Sequence, residues 1–387
     1  MIKSIRKILL HIFFILHFSF LVFNSAAQDS SHLRISLLTC TPGEELYSTF
    51  GHSAYRVIDS SSVTDIVYNY GTFNFDDDGF YVKFVRGKLL YYVSAERFDD
   101  FKNSYLAENR GITEQVLNLT AAEKTTIQRF LNNNLKEENK YYKYDFFLDN
   151  CTTRLRDILK ENHDSSFTVK PVMPDGTTFR QAIHQYLDKN KKGWSKLGID
   201  ILLGKPCDGV MTAEQMQFLP DNLMKSLDSA NHPLILSHQN LYTIKEDADK
   251  GSIFTPLVCF SLLLIAIALL SLIKNKFTQM FLQGFDGILF FCSGLLGIIL
   301  IFMWFGTDHS MTKDNFNLLW AWPTNIILAF FVTSKKNWVK KMFAFTAAGL
   351  VLALLAWFFL PQQLNIALIP FVLLLIYRSA TKVIFNN

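Results

Sequence analysis

Apolar positions along this chain fall into two regimes. Up to about residue 250 they come singly or in short alternating runs among charges, and from residue 253 they form long blocks. In the first regime residues 35–39 read as a strand, and Thr41-Pro42-Gly43 marks the turn after it. Residues 53–59 and 65–70 read as two strands joined by the polar turn Ser60-Ser61-Ser62. Residues 80–85 and 88–93 predict a further hairpin around Arg86-Gly87. Residues 98–108 and 121–137 read as helices, the second capped by Thr120 with Glu123 at the capping-box position. Residues 141–147 are aromatic and strand-like or irregular, and a helix over 151–160 follows, capped by Asp149 or Asn150. Strands come first and helices sit between them, which makes the class α+β.

The second regime holds five apolar stretches, 253–273, 287–306, 318–333, 342–360 and 364–377. A spanning helix needs ~20 residues with few charges. The first, second and fourth fit, whereas the third and fifth are short and contain Pro323 and Pro370, which membrane helices tolerate better than soluble ones. The prediction is an α-helical membrane bundle of about five spans. At the other end, Lys3, Arg6 and Lys7 precede an apolar run over 8–23 and the small residues Ser25-Ala26-Ala27. That is the order of a cleavable export signal. Cleavage after Ala27 would leave Gln28 first, with no cysteine at the cut. Three parts are therefore predicted: a signal peptide over 1–27, an exported domain over 28–250 and a membrane domain over 251–387.

Charge then orients the bundle. With 28–250 outside, Lys274, Lys276, Lys335, Lys336, Lys340, Lys341, Arg378 and Lys382 all fall on the cytoplasmic side, as the positive-inside rule requires. The predicted location is the inner (cytoplasmic) membrane, multi-pass, with the exported domain in the periplasm. The chain's 50% hydrophobic content averages over the two regimes, and its net charge of +4 lies largely beside membrane segments. That balance does not point to nucleic acid. No metal or organic cofactor is predicted.

Candidate chemistry begins with the five cysteines. Cys259 and Cys292 fall in apolar runs and read as packing residues. Cys40, Cys151 and Cys207 lie in the exported part, where a Cys40–Cys207 disulfide is possible. Cys151 opens a helix whose apolar positions are Leu155, Ile158 and Leu159, on its own face. A thiol there has its thiolate stabilised by the unpaired N–H groups and the helix dipole. His52, preceded by Gly51 at a strand start, is the candidate base. The next strand offers Asp65 and Asn69 as polar partners to fix its tautomer. Asn150 could orient the thiolate or help stabilise an oxyanion.

The order histidine strand, second strand, then Asn-Cys opening a helix resembles circularly permuted papain-like hydrolases and acyltransferases, the group of the lecithin:retinol acyltransferase and NlpC-type families. More specifically, the chain resembles the Bacteroidetes lipoprotein N-acyltransferase family Lnb. The stretches that carry this are LLTCTPGEELYSTFGHSAYR over 37–56, VYNYGTFNF over 67–75, KLLYY over 88–92, YKYDFFLDNCTTRL over 142–155, LGKPCD over 203–208 and FLPDNLM over 218–224. The outer loop 307–325 matches too, with His309, Asn315, Asn317, Trp320 and Pro323.

The resemblance implies catalysis by Cys151 and His52, supported by Asn69 and Asn150, and substrate contacts from His309, Asn315, Asn317 and Trp320. It implies transfer of a fatty acyl chain, through a thioester, to the N-terminal amine of diacylglyceryl-cysteine lipoproteins, with lipoproteins and membrane phospholipid as substrates. The donor stays open between a phospholipid and the lipoprotein's own glyceryl esters. A membrane-anchored cysteine amidase acting on cell-wall peptides is the alternative. The membrane half argues against it, because a soluble peptide needs no spans, whereas each acyl CH₂ held in lipid is worth ~0.8 kcal/mol.

Overall fold

The computed structural model describes residues 31–163, 167–243 and 252–384, so the predicted export signal lies outside the described residues. In chain order the exported part runs β1 (Leu33–Cys40), β2 (His52–Asp59), β3 (Thr64–Thr72), α1 (Phe80–Val85), β4 (Leu90–Arg97), α2 (Phe98–Ala107), β5 (Ile112–Leu117), α3 (Ala121–Asn134), β6 (Tyr141–Lys143), α4 (Cys151–Asn162), α5 (Phe179–Lys189), α6 (Gly193–Leu202), α7 (Pro220–Asp228) and β7 (Ile235–Tyr242). The strands form one seven-stranded sheet in the order β6-β4-β3-β2-β1-β5-β7, with every neighbouring pair antiparallel.

β1 is an interior strand, and its side chains alternate between two buried faces. Leu33, Ile35 and Leu37 join Tyr55, Val57 and Leu117 under α3, α4 and α7. Leu38 and Cys40 join Ala54, Val67 and Phe101 under α2. On that second face Arg56 of β2 pairs with Asp65 of β3 at 2.6 Å and, across β1, with Glu114 of β5 at 3.2 Å, over the Phe98 ring. The capping box at Thr120 and Glu123 forms as predicted.

Two local expectations are corrected. Residues 80–85 form a helix, α1, entered through Gly79 at φ +70°, and not the first strand of a hairpin. The strand after it starts at Leu90 and runs on to Arg97. The second correction lies in the membrane part, which runs α8 (Pro256–Leu270), α9 (Lys276–Phe305), α10 (Asn325–Phe330), α11 (Asn337–Ala356) and α12 (Ile369–Ile384). The predicted span over 318–333 is not one helix: a 3₁₀ turn at Phe316–Leu319 precedes Pro323, and only Asn325–Phe330 is α-helical. Proline lacks the N–H and disfavours helix at the residue before it. Such backbone is tolerated at membrane depth only when protein covers it. Here Trp320, Ala321 and Asn325 are buried, and a side chain at Gly297 of α9 would collide with the Ala321 carbonyl.

Among the described residues three helices are long and apolar enough to cross a membrane, Lys276–Phe305, Asn337–Ala356 and Ile366–Ile384, and Pro256–Leu270 is apolar but shorter. At 1.5 Å per residue α9 is ~45 Å long, more than the ~30 Å hydrocarbon core. On the side away from the exported domain, Asp286 is buried between Arg378 at 2.6 Å and Lys382 at 2.5 Å.

The two parts interlock. The last carbonyls of α6 have no acceptor role within the helix. Asn315 donates to the carbonyls of Ile201 and Leu202, and Asn317 to those of Asp200 and Ile201. Gln362 donates to the Leu203 carbonyl, and Asn365 to the Asp200 carboxylate at 2.8 Å. Asp200 in turn meets the fully buried Arg180 at 2.8 Å.

Candidate active site

Asn150 fixes where Cys151 begins its helix. Its Oδ1 accepts from the N–H groups of Thr152 at 2.8 Å and Thr153 at 2.9 Å. Its Nδ2 donates to the carbonyls of Phe146 and Phe218. All the amide's donors and its acceptor are thereby engaged, and Asn150 is 3% exposed. This corrects the expectation that its side chain reaches a thiolate or oxyanion: it is the cap that holds the helix start in place. Between the two candidate caps the structure selects Asn150, while Asp149 pairs with Arg154 at 2.7 Å. Leu155, Ile158 and Leu159 are buried in the core, and the half-buried Cys151 packs against the same cluster.

His52 is the first residue of β2, and Gly51 before it has φ +81°. A β-carbon at Gly51 would lie 2.6 Å from the Cys40 carbonyl, so this turn into the strand requires glycine. His52 Nε2 is 3.1 Å from Asn69 Oδ1. The imidazole's other neighbour is Cys151, which interacts with it electrostatically. Of the two partners left open by the sequence, Asp65 is taken by Arg56, and Asn69 faces the imidazole.

A residue the sequence reading missed completes the row. Asn69 Nδ2 donates to Glu96 Oε1 at 2.7 Å. Val67 lies opposite Glu96, so Asn69, two residues on, shares its face. Burial pushes the Glu96 carboxyl up, against the hydrogen bond from Asn69. The only sequence signal was a lone acidic residue near the end of an aromatic strand.

Electrostatics bind the pair together. Burial pushes the Cys151 thiol up, but the neighbouring His52 charge, its hydrogen bond and the Ser53 N–H outweigh this and bring it down to about 7. Burial pushes His52 down, yet the Cys151 charge and the hydrogen bonds from Cys151 and Asn69 leave it above its ordinary value. Both shifts favour a thiolate beside an imidazolium. The other exported cysteines contrast with this. Cys40 and Cys207 are free thiols in separate core clusters, not a disulfide, and burial pushes each up to about 12.

The pair opens into a cavity of about 540 Å³. Its walls are largely aromatic, including Phe73, Phe84, Tyr91, Tyr144 and Phe146, with Asn69 and Glu96 on one side. A smaller cavity of about 180 Å³ shares Phe84, Tyr91, Tyr144 and Phe146 with it and is closed by His309, Ser310 and Met311 from the membrane part. His309 therefore reaches the neighbourhood of the site, its Nε2 facing the carbonyls of Phe84 at 3.2 Å and Val85 at 3.1 Å. Asn315, Asn317 and Trp320 line neither cavity. The two asparagines fasten α6, and the buried Trp320 donates to Asn317 Oδ1 at 2.9 Å.

Fold and site together define a membrane protein whose periplasmic α+β domain carries a cysteine–histidine pair in a cavity next to the one that His309 of its helical part closes. The Lnb N-terminal periplasmic domain matches residues 20–185, and the Lnb transmembrane domain matches residues 248–387. The chain belongs to the Lnb family. No curated protein and no solved structure matches it.

Proposed function

We propose that this protein is a lipoprotein N-acyltransferase working through a Cys151 thioester, on a periplasmic domain of permuted papain-like fold held at the inner membrane by about five crossings. The observation that carries the reading is the Cys151–His52–Asn69 row opening into an aromatic cavity, which shares Phe84, Tyr91, Tyr144 and Phe146 with a second cavity lined by His309 of the membrane part. The order of histidine strand, asparagine strand and cysteine helix supports the permuted fold.

In the first half-reaction the Cys151 thiolate attacks the carbonyl carbon of an acyl ester. The C–O bond breaks, the alcohol leaves with the proton held by His52, and a thioester remains. The backbone N–H of Cys151, at the first helical position, has no partner within the helix and is the donor this reading assigns to the oxyanion. In the second half-reaction the lipoprotein's neutral α-amine attacks the thioester. The C–S bond breaks, the amine's proton passes to His52 and the thiolate is regenerated. Asn69 keeps the imidazole turned toward sulfur, with Glu96 holding Asn69. His309 borders the acyl side of the site, and Asn315, Asn317 and Trp320 act by holding the two parts in register.

The test is mass spectrometry of a lipoprotein N-terminus in cells carrying wild type, Cys151→Ser or His52→Ala. Wild type adds one N-linked acyl chain. Each variant accumulates in the membrane and adds none, and the double variant is little worse than either single one. Near-normal transfer by Cys151→Ser sinks the thioester mechanism. Cleavage of cell-wall peptides without amine acylation puts the amidase in its place.

A further inference from the structure

The short helix α1 turns its apolar side outward. Tyr81 is 75% exposed and Val82 63%, with Phe75 at 62% beside them. An apolar patch of this kind on an exported domain calls for a partner.

Its position relative to the bilayer follows from hydrogen bonds. The Arg86 carbonyl accepts from the Asp308 N–H at 2.9 Å. Asp308 is three residues past the end of the long helix α9, whose last residues Trp304 and Phe305 are stacked aromatics of the kind found at membrane interfaces. His309 holds the Phe84 and Val85 carbonyls in the same way. α1 is thus fixed at the height of the membrane surface. Arg86 and Lys88, both exposed, flank its apolar face, as in helices that seat in headgroups.

Inward from α1 runs an unbroken line of rings. Phe80 lies 5.9 Å from Phe73, Phe73 is 5.3 Å from Tyr91, and Tyr91 is 4.3 Å from Tyr144. Tyr144 borders the cavity that holds Cys151, and Phe84 of α1 lines both cavities.

We infer that α1 and the 73–88 segment form a membrane-seated portal, through which the acyl chain of a bilayer lipid passes over Phe84 and along the aromatic line to Cys151. This rests on the acyl-transfer reading for what happens at the end of the path, but the bilayer contact is a separate claim. The occupant is a lipid acyl chain, because the path starts at membrane height and is walled by rings.

The experiment uses the full chain in phosphatidylethanolamine–phosphatidylglycerol vesicles containing a phospholipid with a diazirine on one acyl chain. After irradiation, peptide mapping should find label on residues 73–88 in wild type and in Cys151→Ser alike. The turn at Val63 serves as the reference: it lies beyond the far end of β2, ~23 Å from His52 at 3.3 Å per residue, and should stay unlabelled. Labelling of 73–88 no stronger than the Val63 turn overturns the portal. The second arm is the double variant Tyr81→Ser/Val82→Ser, whose side chains line neither cavity. Thioester formation from vesicle lipid should fall about ten-fold, since two apolar anchors are lost. Reaction with a water-soluble short-chain acyl ester should be unchanged. An undiminished rate from vesicle lipid, or equal loss with both donors, overturns it. Thioester formation with no label on 73–88 refutes the portal and leaves acyl transfer standing. Label on 73–88 with no thioester from either donor refutes acyl transfer and leaves the bilayer contact standing.

Discussion

His52 and Cys151 each set what the other can do, and Asn69 sets the balance between them. Asn69 accepts from the imidazole and so favours its charged form. The charged imidazole in turn holds the Cys151 thiol down to about 7. Removing Asn69 therefore moves His52 down and Cys151 up, narrowing from both sides the pH range in which thiolate and imidazolium coexist. In wild type, alkylation of Cys151 by iodoacetamide should rise with pH through a midpoint near 7. In Asn69→Ala that midpoint should move upward toward the ordinary thiol value of 9.0, and acylation at neutral pH should drop with it. The buried Cys40 and Cys207, pushed up to about 12, do not contribute below that. An unmoved midpoint would mean that Asn69 is not the residue that supports the imidazole. At this scale the sequence was informative wherever a side chain's role depends on near neighbours: the cysteine at a helix start and the glycine before the histidine are both local. Glu96 was not legible, because its meaning comes from the register of β3 on β4.

Elements were legible where apolar alternation was strong and exposure ordinary. β1, β2, β3 and α4 follow their patterns. β5 escaped notice because Glu114 and Gln115 sit inside it, both buried, one paired with Arg56 and the other donating to Asp228. β7 was missed as an edge strand whose middle is exposed and polar. Residues 80–85 read as a strand because Phe, Tyr and Val favour one, yet α1 packs only part of its side chains against protein. In the membrane part the helix ends carry the argument. The ends near residues 254, 315 and 362–365 bond to the exported domain, through Trp194, α6 and Asp200. The opposite ends carry Lys274, Lys276, Lys335, Lys336 and Lys382. With the exported domain in the periplasm, the positive-inside rule predicts those lysines on the cytoplasmic side. A reporter fused at Asn387 should accordingly read cytoplasmic and one inserted at Lys313 periplasmic. An external C-terminus would refute about five crossings, the broken stretch at Pro323 being the one that would then not count.

At the scale of the molecule, the question is why a catalytic domain should be bolted to its membrane part and not tethered by a linker. The bolt is polar and buried: Arg180 and Asp200 pair at 0% and 1% side-chain exposure, with His184 at 2.8 Å from the same carboxylate. Burial pushes Asp200 up, but His184 and Arg180 outweigh it and hold the carboxyl below its ordinary range, so the group stays charged. None of this was legible in the sequence, where Arg180, Asp200 and Asn365 are ordinary polar residues far apart. Asn365 spends its side chain on the join and on its own turn, donating to Asp200 and accepting from Ala367. Two substitutions separate stability from alignment. Asp200→Ala leaves buried Arg180 short of a partner and should cost about 3 kcal/mol in thermal unfolding of the full chain in detergent. Asn365→Ala removes one hydrogen bond at the join and the cap of its own turn, and should cost about 1 kcal/mol. If rigid alignment of the cavity with the bilayer matters, Asn365→Ala should still lower thioester formation from vesicle lipid several-fold while Cys151 alkylation keeps its wild-type rate and pH midpoint, because the thiol's own surroundings are untouched. Equal rates from vesicle lipid in Asn365→Ala and wild type would show that the join serves stability alone.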